Sequence, residues 1–202
     1  RFLAGVLLEE DGSTSAPVVA QLLRWFLLGT PGLPAAGMGA LPAQLAGGLR
    51  HPVALGQAAH RVVARDGALA VETADGTYVA RQVVVTVAPQ QVQGLLGPDG
   101  PVLPVARMKG VTTWWFTAPE PPTADPVLRV DGTARRGPVV NTAVVTAAAP
   151  SYSATGAPLI EASVLHRGEG PVDEAGVRAH LAVLWGRSVA DWEVVLRHVV
   201  PD

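Results

Sequence analysis

The sequence predicts an α+β fold, and three patterns carry that expectation. Residues 16–28 repeat apolar side chains at helical spacing. Residues 59–81 alternate apolar and polar side chains around Asp-Gly pairs. Residues 111–165 hold several short β-type runs before helical spacing returns at 172–185.

Residues 1–8 read as a helix end or a buried turn. Ser13, Thr14 and Ser15 then offer N-cap hydroxyls for a helix over Ala16–Leu28. Val18, Val19, Leu22, Leu23, Phe26 and Leu27 would give that helix one broad buried face. Gly29, Pro31 and Gly32 stop it. A Gly/Pro-rich turn to Gly39 leads into a short apolar helix, Leu41–Leu49, closed by Gly47, Gly48 and Pro52.

From Val53 the period changes to two. Ala59–Arg65, Ala68–Thr73 and Thr77–Arg81, parted by Asp66-Gly67 and Asp75-Gly76, predict a three-stranded antiparallel meander. Gln82–Val87 differs, because Val83, Val84, Val85 and Val87 form a near-continuous apolar run. That pattern suits a strand buried on both faces, as in a parallel α/β sheet. Pro89–Leu96 reads as a helix and Gly97–Pro104 as a loop.

Val111–Thr117 (VTTWWFT) predicts a strand. Four prolines exclude Ala118–Pro126 from regular structure. Val127–Val130, Pro138–Val145 and Leu159–Leu165 predict a second, mixed sheet. A helix over Val172–Trp185 and a strand over Val189–Val199 follow.

Composition narrows the function. About half of the 202 residues are apolar and 16% are charged, enough to bury a sizeable core. A net charge of −2 gives no basic face for nucleic acid. Without cysteine there is no disulfide, thiolate nucleophile or Cys-ligated metal, and this fits the cytoplasm. No apolar run approaches the roughly 20 residues of a membrane span, while a peripheral membrane contact stays open. Arg in place of Lys, with Ala, Gly, Pro and Val abundant, suggests a bacterial genome of high GC content. The chain starts at Arg1 without a methionine, as a fragment would.

Few residues announce chemistry. Gly37-Met38-Gly39 opens like a dinucleotide fingerprint, but Pro42 stands where the last glycine belongs and no strand is predicted before it. A tight turn into a helix explains it, with or without a cofactor nearby. His51, His60, His166, His180 and His198 lack metal-ligand spacing, so no metal is expected. There is no G-x-S-x-G. Trp114 and Phe116 share one strand face, while Trp115 takes the other. Both a sheet core and the wall of an apolar substrate cavity accommodate that pattern, and Trp192 invites the same two readings. Catalytic residues stay unassigned.

Several segments together resemble the FAD-dependent amine oxidase and phytoene desaturase-like oxidoreductases. Residues 29–49, GTPGLPAAGMGALPAQLAGGL, match that family's turn and helix of G-M-G-A-I-P type. Gly5-Val6-Leu7-Leu8, Ser13-Thr14-Ser15, Val83-Val84-Val85-Thr86-Val87, Tyr152 to Gly156 and Leu184-Trp185-Gly186 with Trp192 follow in the family's order.

The resemblance implies the central part of a two-domain FAD-binding fold. Residues 37–93 would be the middle segment of the FAD-binding domain, and 1–36 and 94–202 would form the substrate domain. The N-terminal G-x-G-x-x-G unit and the C-terminal G-D segment of the family would lie outside this chain. In the family the strand after the turn and helix touches the adenine through its backbone, which corresponds to Ala59 with His60 beside it. Met38, Pro42 and Thr86 would complete the cofactor contacts, and Trp114, Phe116 and Trp192 would meet an apolar small-molecule substrate.

The implied reaction is a desaturation or amine oxidation with hydride transfer to FAD, and a fragment would hold FAD only weakly. Lys109, the lone lysine, precedes VTTWWFT, whereas the family's mechanistic lysine follows that strand, so the role is not carried over. The alternative is a non-catalytic module that binds an apolar ligand or a partner chain. The sequence does not set the oligomeric state.

Overall fold

A computed structural model describes residues 2–98, 100–104, 108–133, 137–166 and 172–201. In chain order the elements are α1 (Phe2–Leu7), α2 (Ala16–Leu28), α3 (Ala40–Gly47), β1 (Ala59–Arg65), β2 (Ala68–Thr73), β3 (Gly76–Ala80) and α4 (Pro89–Leu96). Next come β4 (Val111–Thr117), β5 (Leu128–Val130), β6 (Val139–Val144), α5 (Val145–Ala148), β7 (Leu159–Leu165), α6 (Glu174–Trp185) and β8 (Glu193–Val200). The chain divides into two compact units. One joins Arg1–Leu45 to Met108–Asp202, and the other is Ala46–Arg107.

The larger unit is built on a five-stranded sheet in the order β5-β6-β7-β4-β8. The predicted mixed sheet is corrected here, because every neighbouring pair is antiparallel. The reason is the placement of the crossover. Parallel neighbours need one, and α6 does link β7 to β8, which run the same way. However, β4 lies between them and runs against both.

α6 therefore covers one face of this sheet. Val177, His180, Leu181 and Trp185, at helical spacing, are its buried residues. They meet Trp114, Phe116, Val139, Val144, Ile160, Ala162 and Val164, the inward positions of β4, β6 and β7. Full burial of a side chain such as Leu181 stabilises by roughly 2 kcal/mol.

The ends of α6 are well specified. Asp173 Oδ1 accepts the Gly176 N–H at 2.8 Å, and Gly186 ends the helix at φ 66°, in the left-handed region that suits glycine. Arg178 ties α6 to the chain entering β8. It donates to Val189 O at 2.8 Å and Trp192 O at 2.9 Å, and its guanidinium lies over the Phe116 ring.

α1 packs on the opposite face. Ala4 joins Val140 and Leu165 there, with Leu8 and Val111 partly buried beside them. Gly5 allows the close approach, since a Cβ there would collide with the Asn141 amide.

α2 has the predicted bounds but not the predicted buried face, as none of its residues is buried. Trp25 is 65% and Leu27 83% exposed. Its N-cap is Ser15, whose hydroxyl makes no capping bond.

The smaller unit contains an antiparallel sheet in the order β1-β2-β3, against which α4 packs through β1. Val62, Ala70 and Val92 are its buried apolar residues. The β1–β2 turn is Asp66-Gly67, with φ 50° and 77°, the positive pair a two-residue hairpin favours. The second turn is Ala74-Asp75 rather than Asp75-Gly76, because Gly76 already pairs with Thr73.

Residues 82–87 are not a strand, which corrects the buried-strand expectation. They have no ladder partner among the described residues, and Val84 is 85% exposed. Among the described residues no helix is long and apolar enough to cross a membrane.

Candidate functional site

The five residues expected at a cofactor fall into two groups, one in each unit. Met38 lies in the turn before α3, just after Gly37 at φ 85°, and Pro42 stands in the first turn of that helix. Both are exposed. In the other unit Ala59 opens β1 and pairs with Thr73. The register slips between Ala59 and Arg61, which leaves His60 as the extra residue of a β-bulge. Thr86 lies in the ladder-free 82–87 segment. Ala59, His60 and Thr86 are all exposed.

β1 is an edge strand, and an edge presents unpaired N–H and C=O groups. The turn at Gly37-Met38-Gly39 follows no strand among the described residues, so it lacks the setting of a pyrophosphate cradle.

The three residues expected at a substrate are brought together. Trp114 and Phe116 stack with centroids 6.3 Å apart, and Phe116 meets Trp192 at 5.9 Å. All three are buried in the cluster beneath α6. Arg197 lies over the Trp114 ring, whose buried Nε1–H finds no acceptor. This packing is that of a closed core, and Trp115, on the other face, is the half-exposed aromatic of β4.

Two constellations were not anticipated. The first is a buried Asp131–His180 pair. The Val139 N–H donates to His180 Nδ1 at 3.1 Å, so the proton sits on Nε2, which donates to Asp131 Oδ2 at 3.1 Å. The Thr133 hydroxyl and N–H donate to Asp131 Oδ1 at 2.7 and 2.8 Å. With the Gly137 N–H and His180, they hold the carboxyl far below its ordinary range. This latch joins the loop that follows β5 to α6. Its members lie 49 residues apart, so no local spacing betrays it.

The second is Glu161, in the middle of β7. Its neighbours Ile160 and Ala162 point into the α6 core, so Glu161 points to the other face, with Ser163. Burial pushes its carboxyl up to about 8, with only partial opposition from the Ser163 hydroxyl, which donates at 3.1 Å. A lone charged residue inside the otherwise uncharged LIEASVL run is the signal that could have found it. Among the described residues no group of three His, Asp or Glu is placed to hold a metal ion.

The family model of flavin-containing amine oxidoreductases matches residues 3–179. The chain belongs to the flavin-containing amine oxidoreductase family. That family implies a flavin cofactor.

Solved structures share the fold. A protein from Exiguobacterium sp. 255-15 that carries the name protoporphyrinogen oxidase aligns with a TM-score of 0.62 at 19% identity, over 82% of this chain and 38% of that one. A fatty acid isomerase from P. acnes that produces CLA aligns with a TM-score of 0.55 at 13% identity, over 81% of this chain and 39% of that one. An oxidoreductase from Methanosarcina mazei aligns with a TM-score of 0.53 at 15% identity, over 73% and 37%. The chain thus spans under two fifths of each. No curated protein matches it.

Proposed function

We propose that this chain is the central segment of an FAD-dependent oxidoreductase of desaturase or amine oxidase type, which oxidises an apolar substrate. The observation that carries this reading is the family match over residues 3–179. When bound, FAD supplies the hydride acceptor.

The chain's own residues position the reactants. The exposed edge of β1 at Ala59 and His60 offers backbone groups to the adenine, with Thr86 of the same unit as a further contact. Residues 37–93 serve the cofactor, and 1–36 with 94–202 serve the substrate. An inserted unit flanked by two segments that fold together supports that interleaving. Trp114, Phe116 and Trp192 fix the large sheet against α6 and thereby set one wall of the substrate space.

The test is flavin retention. The complete gene product that contains this chain is expected to co-purify with FAD through gel filtration. Ala59→Val should retain it. Ala59→Pro should lose most of it, because proline removes the N–H donor and restricts φ. Circular dichroism establishes that both variants fold. If Ala59→Pro folded normally and kept its FAD, the adenine contact would be misplaced.

A second reading, a non-catalytic module for an apolar ligand or partner chain, draws on the exposed apolar residues of α2, such as Trp25 and Leu27. A complete gene product that purifies colourless and takes up no added FAD would favour it.

A further inference from the structure

α1 and α2 form a helical hairpin and leave a cleft of about 550 Å³ between them. That is the size of a small-molecule site and far more than a packing defect. Its cause lies in the sequence. Where the two helices face each other, α1 brings Ala4, and α2 brings Ala16 and Ala20. Side chains that short do not fill the gap between two helix backbones. Leu3 and Leu7 on α1, with Val19 and Leu23 on α2, supply hydrocarbon walls. Ala4 also closes the floor, since it is buried against Val140 and Leu165 of the large sheet. One end is bridged by the rings of Phe2 and Phe26, whose centroids lie 5.3 Å apart.

The other end is chemically different. The loop that joins the helices lines it with Glu9, Glu10, Gly12 and Thr14, and Asp11 lies in the same loop. Two of these carboxylates brace the loop. Glu9 Oε2 accepts the Gly12 N–H at 2.7 Å, and Asp11 Oδ1 accepts the Ser13 N–H at 3.1 Å. Lys109 anchors the loop, its Nζ donating to Leu7 O at 3.3 Å and to Thr14 Oγ1 at 3.5 Å. Among the described residues neither Glu9 nor Asp11 forms an ion pair, with Lys109 or with any other cation. The loop therefore gathers three consecutive acidic residues, while the ammonium tied to it is committed to a carbonyl and a hydroxyl.

We propose that this cleft is a binding site for an amphipathic cation, whose hydrocarbon chain lies between α1 and α2 and whose ammonium group meets the acidic loop. The assignment goes beyond the flavoenzyme reading, and no oxidation step is placed here.

Each part of the ligand answers a part of the cleft. A helix of the length of α1 spans about 9 Å, which suits an extended chain of about eight carbons. That chain leaves water for Leu3, Leu7, Val19 and Leu23, all apolar contact. An ammonium head gains a counter-charge from Glu9 and Asp11 while it stays in contact with water. A carboxylate or phosphate head at the same end meets like charge instead, which disfavours fatty acids and anionic lipids. A neutral head gains the apolar contact alone.

The experiment uses the full 202-residue chain and three probes with one tail: octylammonium, octanoate and octan-1-ol. Titration calorimetry gives the affinities, and amide nitrogen-15 spectra locate the site. At about pH 7 and low salt, octylammonium is expected to bind at least about tenfold more tightly than octanoate, with octan-1-ol between them. The amides that shift should include Gly12, Thr14, Ala16 and Ala20. Salt at about 0.5 M should shrink the octylammonium-to-octanoate ratio to under about threefold.

Two variants separate head from tail. Glu9→Gln combined with Asp11→Asn keeps the acceptors for Gly12 and Ser13. It should weaken octylammonium at least about threefold and leave octan-1-ol unchanged. Ala20→Leu fills the cleft. Ala20 is exposed and leucine is a good helix former, so circular dichroism should be unchanged. All three probes should then lose at least about tenfold in affinity.

Octanoate binding as tightly as octylammonium at low salt, full octylammonium binding by Ala20→Leu, or no binding of any probe would overturn the proposal. So would a parent dimer that Ala20→Leu dissociates and that takes up no octylammonium, since the cleft would then belong to a second copy. None of these readouts involves flavin. A failure here therefore differs from a failure of the flavoenzyme reading, which shows itself as a complete gene product that does not retain FAD.

Discussion

Glu161→Gln tests whether burial keeps this carboxyl protonated in the folded chain. The folded chain raises this carboxyl from its ordinary 4.5 to about 8, chiefly by burial. At roughly 1.4 kcal/mol for each pH unit, that sets a ceiling of about 5 kcal/mol on the cost of ionising it in the fold. The group is half-buried, and water reaches such sites, so about 2 kcal/mol is the reasonable expectation.

The sign follows from proton counting. Between 4.5 and about 8 the folded chain binds the proton and the unfolded chain does not. The stability associated with the protonated form is therefore fully present below 4.5, and it is lost as pH rises through about 8. An amide at this position does not titrate. The stability of Glu161→Gln relative to the parent should rise between about pH 5 and pH 9 by about 2 kcal/mol, or roughly 4–8 °C in Tm for a chain of this size.

Urea titrations followed by tryptophan fluorescence suit the measurement. All five tryptophans lie in the unit that contains Glu161, so unfolding of the other unit does not contaminate the signal. Parallel stability-against-pH curves for the two proteins over that range would show that the carboxyl ionises normally. The reading of Glu161 as a neutral acid in the folded chain would then fail.

Two further outcomes concern the scaffold. Gly76→Val should lower stability by at least about 1 kcal/mol, because Gly76 sits at φ 155°, a backbone region valine adopts only at a cost; an unchanged Tm would contradict the turn geometry. Gly137→Ala should cost about 2 kcal/mol or more, since its Cβ would collide with the His180 ring and break the Asp131–His180–Val139 latch. Loss of the downfield His180 Nε2–H proton resonance would accompany it, and its persistence at parental stability would show that the latch is not held by close packing.

Local patterns made much of this fold legible. Ala59–Arg65, Ala68–Thr73, Val111–Thr117 and Leu159–Leu165 were readable as strands because alternation is a property of the segment itself. Pro89 and Gly97 bracketed α4 for the same reason. What escaped were properties held jointly by distant segments. Strand direction depends on where the crossover lands, and β4 separates β7 from β8 although it precedes both in sequence. The Asp131–His180 latch joins residues with no common spacing. Glu161 was visible as a letter, but its chemistry is set by Ala143, Trp115 and Ser163, on three different strand positions.

The same distinction explains two corrections that look unrelated. Hydrophobic patterning in α2 states that a face is to be covered, and the Val83–Val87 run states that a strand is to be flanked. Neither states by what. A strand is defined by its neighbours' hydrogen bonds, so without a partner a valine-rich segment gains no ladder however strong its propensity. A helix closes its own hydrogen bonds, so α2 keeps its predicted bounds even with Trp25 and Leu27 exposed. That asymmetry separates the two outcomes: the helix survived as an element and lost only its burial, whereas the strand lost its existence.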